Sequence, residues 1–321
     1  LQSRENLVCR IIRSEEHTSE LQSREKLVCR LLLIKKSDDK QLIAIPLVVL
    51  ALALLVSVVV FSSTGAPVKL GLEFEGGTMI AFETQDSAGV LEEAYSDYSL
   101  VDARKTGDRA ILQFGPMDNE EQKELEKDVT SKYSNVEIKQ IGALYGKELQ
   151  SQALKAIGLS FIGMAIVVFL IFRTAVPSIA VVLSAVSDIA IAVGFMNITG
   201  IELSLGTVAA LLMLIGYSVD SDILLTTRVL KRRGTPNENI GRAMHTGLTM
   251  TTTTLAALVV MYIVSTFSYL VTSSVSQVNL LSDISIVLIF GLVADIMNTW
   301  LLNTGILRWH VTRSNPRGRR A

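Results

Sequence analysis

The chain has 321 residues, 49% of them hydrophobic, and a formal net charge of −1. Its aliphatic residues come in long blocks, which excludes an ordinary soluble domain and points to a membrane protein. The charge balance hides a segregation of Lys and Arg. The two cysteines, Cys9 and Cys29, support neither a disulfide framework nor a zinc site.

Both cysteines lie in residues 1–34, where "LQSRENLVCR" returns almost unchanged as "LQSREKLVCR". Two copies are too few for a solenoid. The linking "RSEEHTSELQS" is similar to a translated sequencing adapter, so 1–34 is read as an artefact or disordered segment; a soluble N-terminal helix is the alternative. It is set aside from fold reasoning.

Six stretches match the ~20 apolar residues a helix needs to cross a bilayer. They are residues 42–61, 153–172, 177–196, 203–225, 248–267 and 284–302. Pro46 and Pro177 are expected in first turns, where a missing N–H does no harm. Lys35, Lys36 and Lys40 precede the first stretch, Arg173 follows the second, Lys231, Arg232, Arg233 and Arg242 follow the fourth, and five arginines follow the sixth. The alternate short loops, "NITGIE" and "SYLVTSSVSQVNLLSD", contain no Lys or Arg. The positive-inside rule therefore predicts a multi-pass protein of the cytoplasmic membrane with both termini cytoplasmic.

Residues 35–62 form the cytoplasmic N-terminus and first transmembrane helix in this reading, and 63–150 an extracytoplasmic α+β domain. Within it "TMIAFET" reads as a strand and "DSAGVLEEAY" as a helix. "SLVDARK" and "RAILQFG" read as a hairpin joined through "TGD". "DNEEQKELEKDVTSKY" reads as a helix opened by Asp118, and "NVEIKQIG" as a last strand. The order β-α-β-β-α-β predicts a ferredoxin-like unit. Residues 151–307 would hold transmembrane helices two to six, and 308–321 a basic cytoplasmic tail. The fold class is thus an α-helical polytopic membrane protein of six transmembrane helices plus a small ferredoxin-like domain.

Asp188, Asp220, Asp222 and Asp295 fall inside the apolar stretches. A charged residue at mid-bilayer costs at least ~2.5–3.5 kcal/mol, so these are functional candidates facing the bundle interior. No Lys or Arg stands at matching depth, and a carboxyl without a cation is expected to hold its proton, as a proton carrier must. At ~100° per residue, Asp220 and Asp222 lie on nearly opposite faces and cannot form a side-by-side dyad. One is expected to face the core and the other a second helix, a partner subunit or the cytoplasmic half. Asp220 is deeper, with Tyr217 one turn before it, and is taken as the titrating group. For each aspartate the alternative is a carboxyl that only hydrogen-bonds a neighbouring helix, and for Asp295, with Asn298 one turn on, that contact is preferred. The threonines of "TMTTTT" either hydrate a polar path or back-bond to their own helix. Arg228 reads as an anchor at the membrane edge rather than a counter-ion.

Three stretches carry a resemblance: "GLEFEGGT" at 71–78, "GYSVDSDILLTTRVLKRRG" at 216–234 and "ADIMNTWLLNTGILRW" at 294–309. With six spans and one large loop after the first, they resemble the SecF family of the SecDF protein-export complex, within the resistance-nodulation-division superfamily, and archaeal members in particular. The resemblance implies assistance to polypeptide export, driven by the proton gradient, beside a SecD-like subunit, the Sec channel, an unfolded secretory polypeptide and membrane lipid. It implies that Asp220 and Asp188 are proton-coupling; because one proton supplies less than a full two-state reversal needs, Asp222 is a candidate second carboxyl. Gly71, Phe74, Gly76, Gly77 and Thr78 match the family's signature loop, where glycines 76 and 77 suit a tight turn. Where many bacterial relatives have a basic residue, this chain has Thr246, and Arg242 one turn earlier is the candidate substitute.

A lipid or small-molecule transporter of the same superfamily would normally have twelve spans and two outer domains. An intramembrane aspartyl protease needs Gly-x-Gly-Asp, and this chain offers Gly-Tyr-Ser-Val-Asp at 216–220. A structural subunit with proton-inert aspartates stays open. No Walker, zinc or Rossmann pattern occurs, so no cofactor, metal or catalytic residue is expected. The tail "RSNPRGRR" reads as solvated rather than as a nucleic-acid contact.

Overall fold

The computed structural model describes residues 39–231, 236–267 and 275–314. The repeat at 1–34, Lys35, Lys36, Arg232, Arg233, residues 268–274 of the loop after the fifth span and the end of the tail lie outside these.

The first helix, α1 (Asp39–Thr64), is apolar through most of its length. It starts in polar residues ahead of the apolar stretch, so Pro46 sits inside the helix rather than in its first turn, interrupting one hydrogen bond of the ladder. A short turn of helix, α2 (Leu72–Glu75), which alternation in the sequence does not signal, leads into β1 (Gly77–Glu83). Then come α3 (Ala88–Ala94), β2 (Leu100–Thr106), β3 (Arg109–Phe114), α4 (Asn119–Lys132) and β4 (Ser134–Ile141). The hairpin turn between β2 and β3 is Gly107-Asp108, with Gly107 at φ +64°. Asp118 caps α4 as expected, its carboxylate accepting from the Asn119 N–H at 2.8 Å.

The four strands are ordered β2-β3-β1-β4, every neighbouring pair antiparallel, which is the ferredoxin-like arrangement the element order predicted. One face supplies Ile80, Phe82, Leu112 and Phe114, which pack with Leu91 and Tyr95 and with Leu125 and Val129 of the two helices. Phe82 stacks on Tyr133 at 4.1 Å between ring centroids.

The bundle follows: α5 (Ala143–Phe172), α6 (Ala175–Thr199), α7 (Leu205–Lys231), α8 (Pro236–Phe267) and α9 (Val275–Met297). A π-helical turn (Asn298–Asn303) then runs into α10 (Thr304–Ser314). Among the described residues six segments are long and apolar enough to cross a membrane: Ile43–Thr64, Ala143–Phe172, Ala175–Thr199, Leu205–Leu230, Glu238–Phe267 and Leu280–His310. Helices α5 and α8 begin well before the apolar stretches at 153 and 248, because polar prefixes extend them beyond the hydrocarbon. Helices α6 and α7 form the interior, while α1 presents apolar side chains such as Leu55 and Val58 outward. A side chain on Gly194 of α6 would meet Ala53 Cβ at 2.8 Å, so this glycine lets α1 approach closely.

Segment 65–77 joins the sheet to the bundle. The Gly71 N–H donates to the Leu203 carbonyl and the Leu203 N–H to the Lys69 carbonyl, each at 2.8 Å. Phe74 is buried among Ala153 of α5, Val208 of α7 and their neighbours. Gly76 and Gly77 have φ of +81° and +128°, and a Cβ on Gly76 would meet the backbone of Ala143 at 2.6 Å. The turn therefore admits only glycine at both positions.

Candidate functional site

The interior of the bundle is polar. Helix α7 carries Ser218, Ser221 and Asp222 at spacings of three and four, hence on one face; α6 contributes Ser187 and Asp188, and the end of α9 with the π turn contributes Asp295, Asn298, Thr299 and Asn303. None of these side chains is more than 7% exposed.

Asp188 accepts from Ser218 Oγ at 2.5 Å on one oxygen and from Asn298 Nδ2 at 2.6 Å on the other. Asn298 also donates to Ser187 Oγ at 3.0 Å. Asp222 Oδ1 accepts from Thr299 Oγ1 and from Asn303 Nδ2, each at 2.8 Å, whereas Asp222 Oδ2 has no hydrogen-bond partner. The four-residue interval between Thr299 and Asn303 keeps both near one face of the π turn, and π turns recur at functional sites.

Asp295 is joined to Asp222 through a shared hydroxyl. Thr299 Oγ1 lies 2.8 Å from Asp222 Oδ1 and 3.1 Å from Asp295 Oδ1. Ser221 Oγ lies 3.1 Å from each oxygen of Asp295 and 2.9 Å from the Ser218 carbonyl. A hydroxyl has one proton to donate, so Thr299 cannot serve both carboxyls at once, nor Ser221 both its carboxyl and its carbonyl. No ion pair links a Lys or Arg to these carboxyls among the described residues. Nor do the described residues group three or more His, Cys, Asp or Glu side chains closely enough to share a metal.

The sequence-predicted residues divide between this cluster and other places. Asp188, Asp222, Asp295 and Asn298 meet in it. Asp220, taken from the sequence as the titrating group, lies on the outer surface of α7 with no bond to the described residues, and the interior belongs to Asp222. The two do point apart as the 100° step requires, but depth along a helix does not reveal which face its neighbours cover. Tyr217 packs in the bundle core with its hydroxyl unpartnered. Arg242 is exposed and its carbonyl accepts from Arg228 Nη1 at 2.8 Å, so neither guanidinium reaches the carboxyls. The threonines of 249–254 back-bond to their own helix, as Thr251 does to the Gly247 carbonyl and Thr253 to the Met250 carbonyl. Gly71, Phe74, Gly76, Gly77 and Thr78 are all buried in the joint rather than near the cluster. Sequence reading missed Ser218, Ser221, Thr299 and Asn303, although the four-residue steps 295, 299, 303 and 218, 222 were visible.

Residues 121–313 match the family described as protein export membrane protein SecD/SecF, C-terminal. The protein-export membrane protein SecF of Methanolacinia petrolearia is 48% identical over 280 residues, covering 87% of this chain and 96% of that one. That of Pyrococcus furiosus is 42% identical over 294 residues, covering 88% and 94%. Among solved structures, SecDF from Thermus thermophilus, a translocon-associated membrane protein, superposes with a TM-score of 0.66 at 20% identity. The match covers 85% of this chain but only 38% of that protein, and at this identity it speaks to the fold.

Proposed function

Because the chain belongs to the SecF family of protein-export membrane proteins, we propose that it assists polypeptide movement across the cytoplasmic membrane beside a SecD-like subunit, with its buried aspartates coupling the proton gradient to that work. In this reading the termini are cytoplasmic, the sheet domain is extracytoplasmic, and the Sec channel, its unfolded substrate and membrane lipid are the surroundings.

The observation that carries the proton coupling is the single Thr299 hydroxyl between Asp222 and Asp295. If both carboxyls were ionised, one would face the hydroxyl oxygen without a proton between them, in a buried site where no ion pair with Lys or Arg is found among the described residues. One proton on the pair removes the conflict. Rotation of Thr299, with the proton moving from one carboxyl to the other, exchanges two arrangements, in which Asn303 supports Asp222 and Ser221 supports Asp295, and Asp188 extends the network through α6 and Ser218. Asp220, on the outer face of the same helix, is assigned to the contact with the SecD-like half.

One proton supplies about 2.3 kcal/mol per 100 mV, whereas a full two-state reversal takes about 5.5 kcal/mol. A single proton biases a movement, and two protons per cycle would nearly complete it. Asp222→Asn keeps the shape of the side chain and removes its acid, so it is expected to abolish the gradient-dependent part of export in vesicles carrying both subunits. Asp220→Asn is expected to retain that part once the subunits are assembled. Export by Asp222→Asn that still responds to an imposed gradient as the unaltered protein does would sink the proposal in favour of a proton-inert subunit.

A further inference from the structure

The signature loop contains an acid that the proton-coupling reading leaves unused. Glu73 lies in α2, between the last strand of the sheet domain and the helix that carries Asp222. Its Oε1 accepts from Lys139 Nζ of β4 at 2.8 Å, and its Oε2 accepts from the backbone N–H of Leu205, the first residue of α7, at 2.6 Å. The glutamate side chain is 14% exposed and the lysine 46%.

The start of α7 is otherwise closed on itself. Ser204 Oγ accepts from the Thr207 N–H at 3.1 Å, and Thr207 Oγ1 accepts from the Ser204 N–H at 2.7 Å, a reciprocal cap. That cap leaves the Leu205 N–H for a partner from outside the helix, and Glu73 provides it. A negative charge at a helix N-terminus is favoured by the helix dipole as well. Beside this link the Gly71–Leu203 backbone bonds and Phe74, wedged against Val208, hold α2 to the same end of α7.

We propose that Glu73 is a positioning residue that transmits displacement between α7 and the sheet domain, its two oxygens gripping Leu205 at one side and Lys139 at the other. The proposal rests on the reading that protonation in the bundle drives the sheet domain. A shift or rotation of α7 that accompanies a proton step at Asp222 moves the Leu205 N–H; Glu73 follows it, and Lys139 carries the pull into β4, which pairs with β1. Only a carboxylate does this at glutamate length. An amide has one acceptor oxygen and presents a donor on its other arm, so Glu73→Gln must release either the helix or the strand while filling the same volume.

The test uses the full chain assembled with its SecD-like partner in vesicles. Cys9 and Cys29 are replaced by serine, and an environment-sensitive fluorophore sits on an introduced cysteine, Glu121→Cys, on the exposed side of α4. An imposed proton gradient is expected to change the fluorescence of the otherwise unaltered protein. Glu73→Gln is expected to lose that response while assembling with the partner and taking up protons as before. Lys139→Gln, on a half-exposed side chain, is expected to lose it too, and decides the matter if Glu73→Gln does not accumulate. The exchanged pair Glu73→Lys with Lys139→Glu rebuilds an ion pair but gives Leu205 no acceptor, so it stays unresponsive if the grip on α7 matters. A response in Glu73→Gln, or its return in the exchanged pair, overturns the proposal while leaving proton coupling intact. Absence of a response in the unaltered protein overturns both, and its loss in Asp222→Asn but not in Glu73→Gln means that the coupling reaches the sheet domain by a route other than Glu73, which overturns the role given to this residue.

Discussion

In the sheet domain the buried side chains are Phe82, Phe114, Tyr95, Leu112 and their neighbours, and of the charged residues described there only Arg109 is buried. In the bundle the order is reversed at its centre: Asp188, Asp222, Asp295, Asn298 and Asn303 are inside, while Leu55, Val58 and Leu170 are about 60% or more exposed outside. The two regions share a chain but have different solvents. In water, burying apolar area is the driving force. In lipid it provides no preference between helix and tail, so small side chains, packing and interhelical hydrogen bonds decide which faces meet, and a polar group outside would go unsatisfied.

That contrast can be broken or sharpened by substitution. The largest effect is expected from Phe82→Ala, a fully buried ring whose loss costs about 3–5 kcal/mol. Amide hydrogen exchange on the full chain should show protection falling in β1 and β3 and unchanged in α6 and α7; equal losses in both would mean that the regions unfold as one. Next comes Asn298→Ala, which takes a donor from Asp188 and from Ser187. With about 0.6 kcal/mol per interhelical bond, a loss of about 1 kcal/mol is expected in detergent-driven unfolding of the bundle. A loss as large as that of Phe82→Ala would make the polar interior the bundle's chief structural glue rather than a cluster free to exchange protons.

The smallest effect lies at the joint between the regions. Burial, and then the neighbouring Glu202 carboxylate, pushes the Glu75 carboxyl above its ordinary 4.5, with Lys69 pulling the other way. A raised value in the folded state means that the group contributes stability below 4.5 and loses it as pH rises through the folded value. Glu75→Gln should therefore flatten the pH dependence of thermal unfolding in that window. An unchanged slope would place the pH sensitivity in other carboxyls.

Much of the architecture was legible because its signals are local. Six apolar stretches, the Gly107-Asp108 turn, the Asp118 cap and the alternation of β1 and β3 each follow from residues within a few positions of one another. Helix ends were less legible: α1, α5 and α8 run into polar residues that hydropathy does not count, so Pro46 proved internal. The short α2 and the π turn left no periodic trace. The site was half visible. Asp188, Asp222, Asp295 and Asn298 stood out as polar residues in apolar stretches, but their serine and threonine partners are too common in membrane helices to stand out singly.

The sequence by itself determined that the chain has six stretches long and apolar enough to cross a bilayer, that a β-α-β-β-α-β unit lies between the first and the second, and that Asp220 and Asp222 point apart, since a helix turns by a fixed angle at each residue. Only the tertiary structure decided that Asp222 faces inward and Asp220 outward, that Thr299 stands between two carboxyls, and that Glu73 reaches both Lys139 and Leu205. Those facts depend on which faces of distant segments pack together, and residues separated by 66 positions, as Glu73 and Lys139 are, leave no mark of their meeting in the local order of the chain.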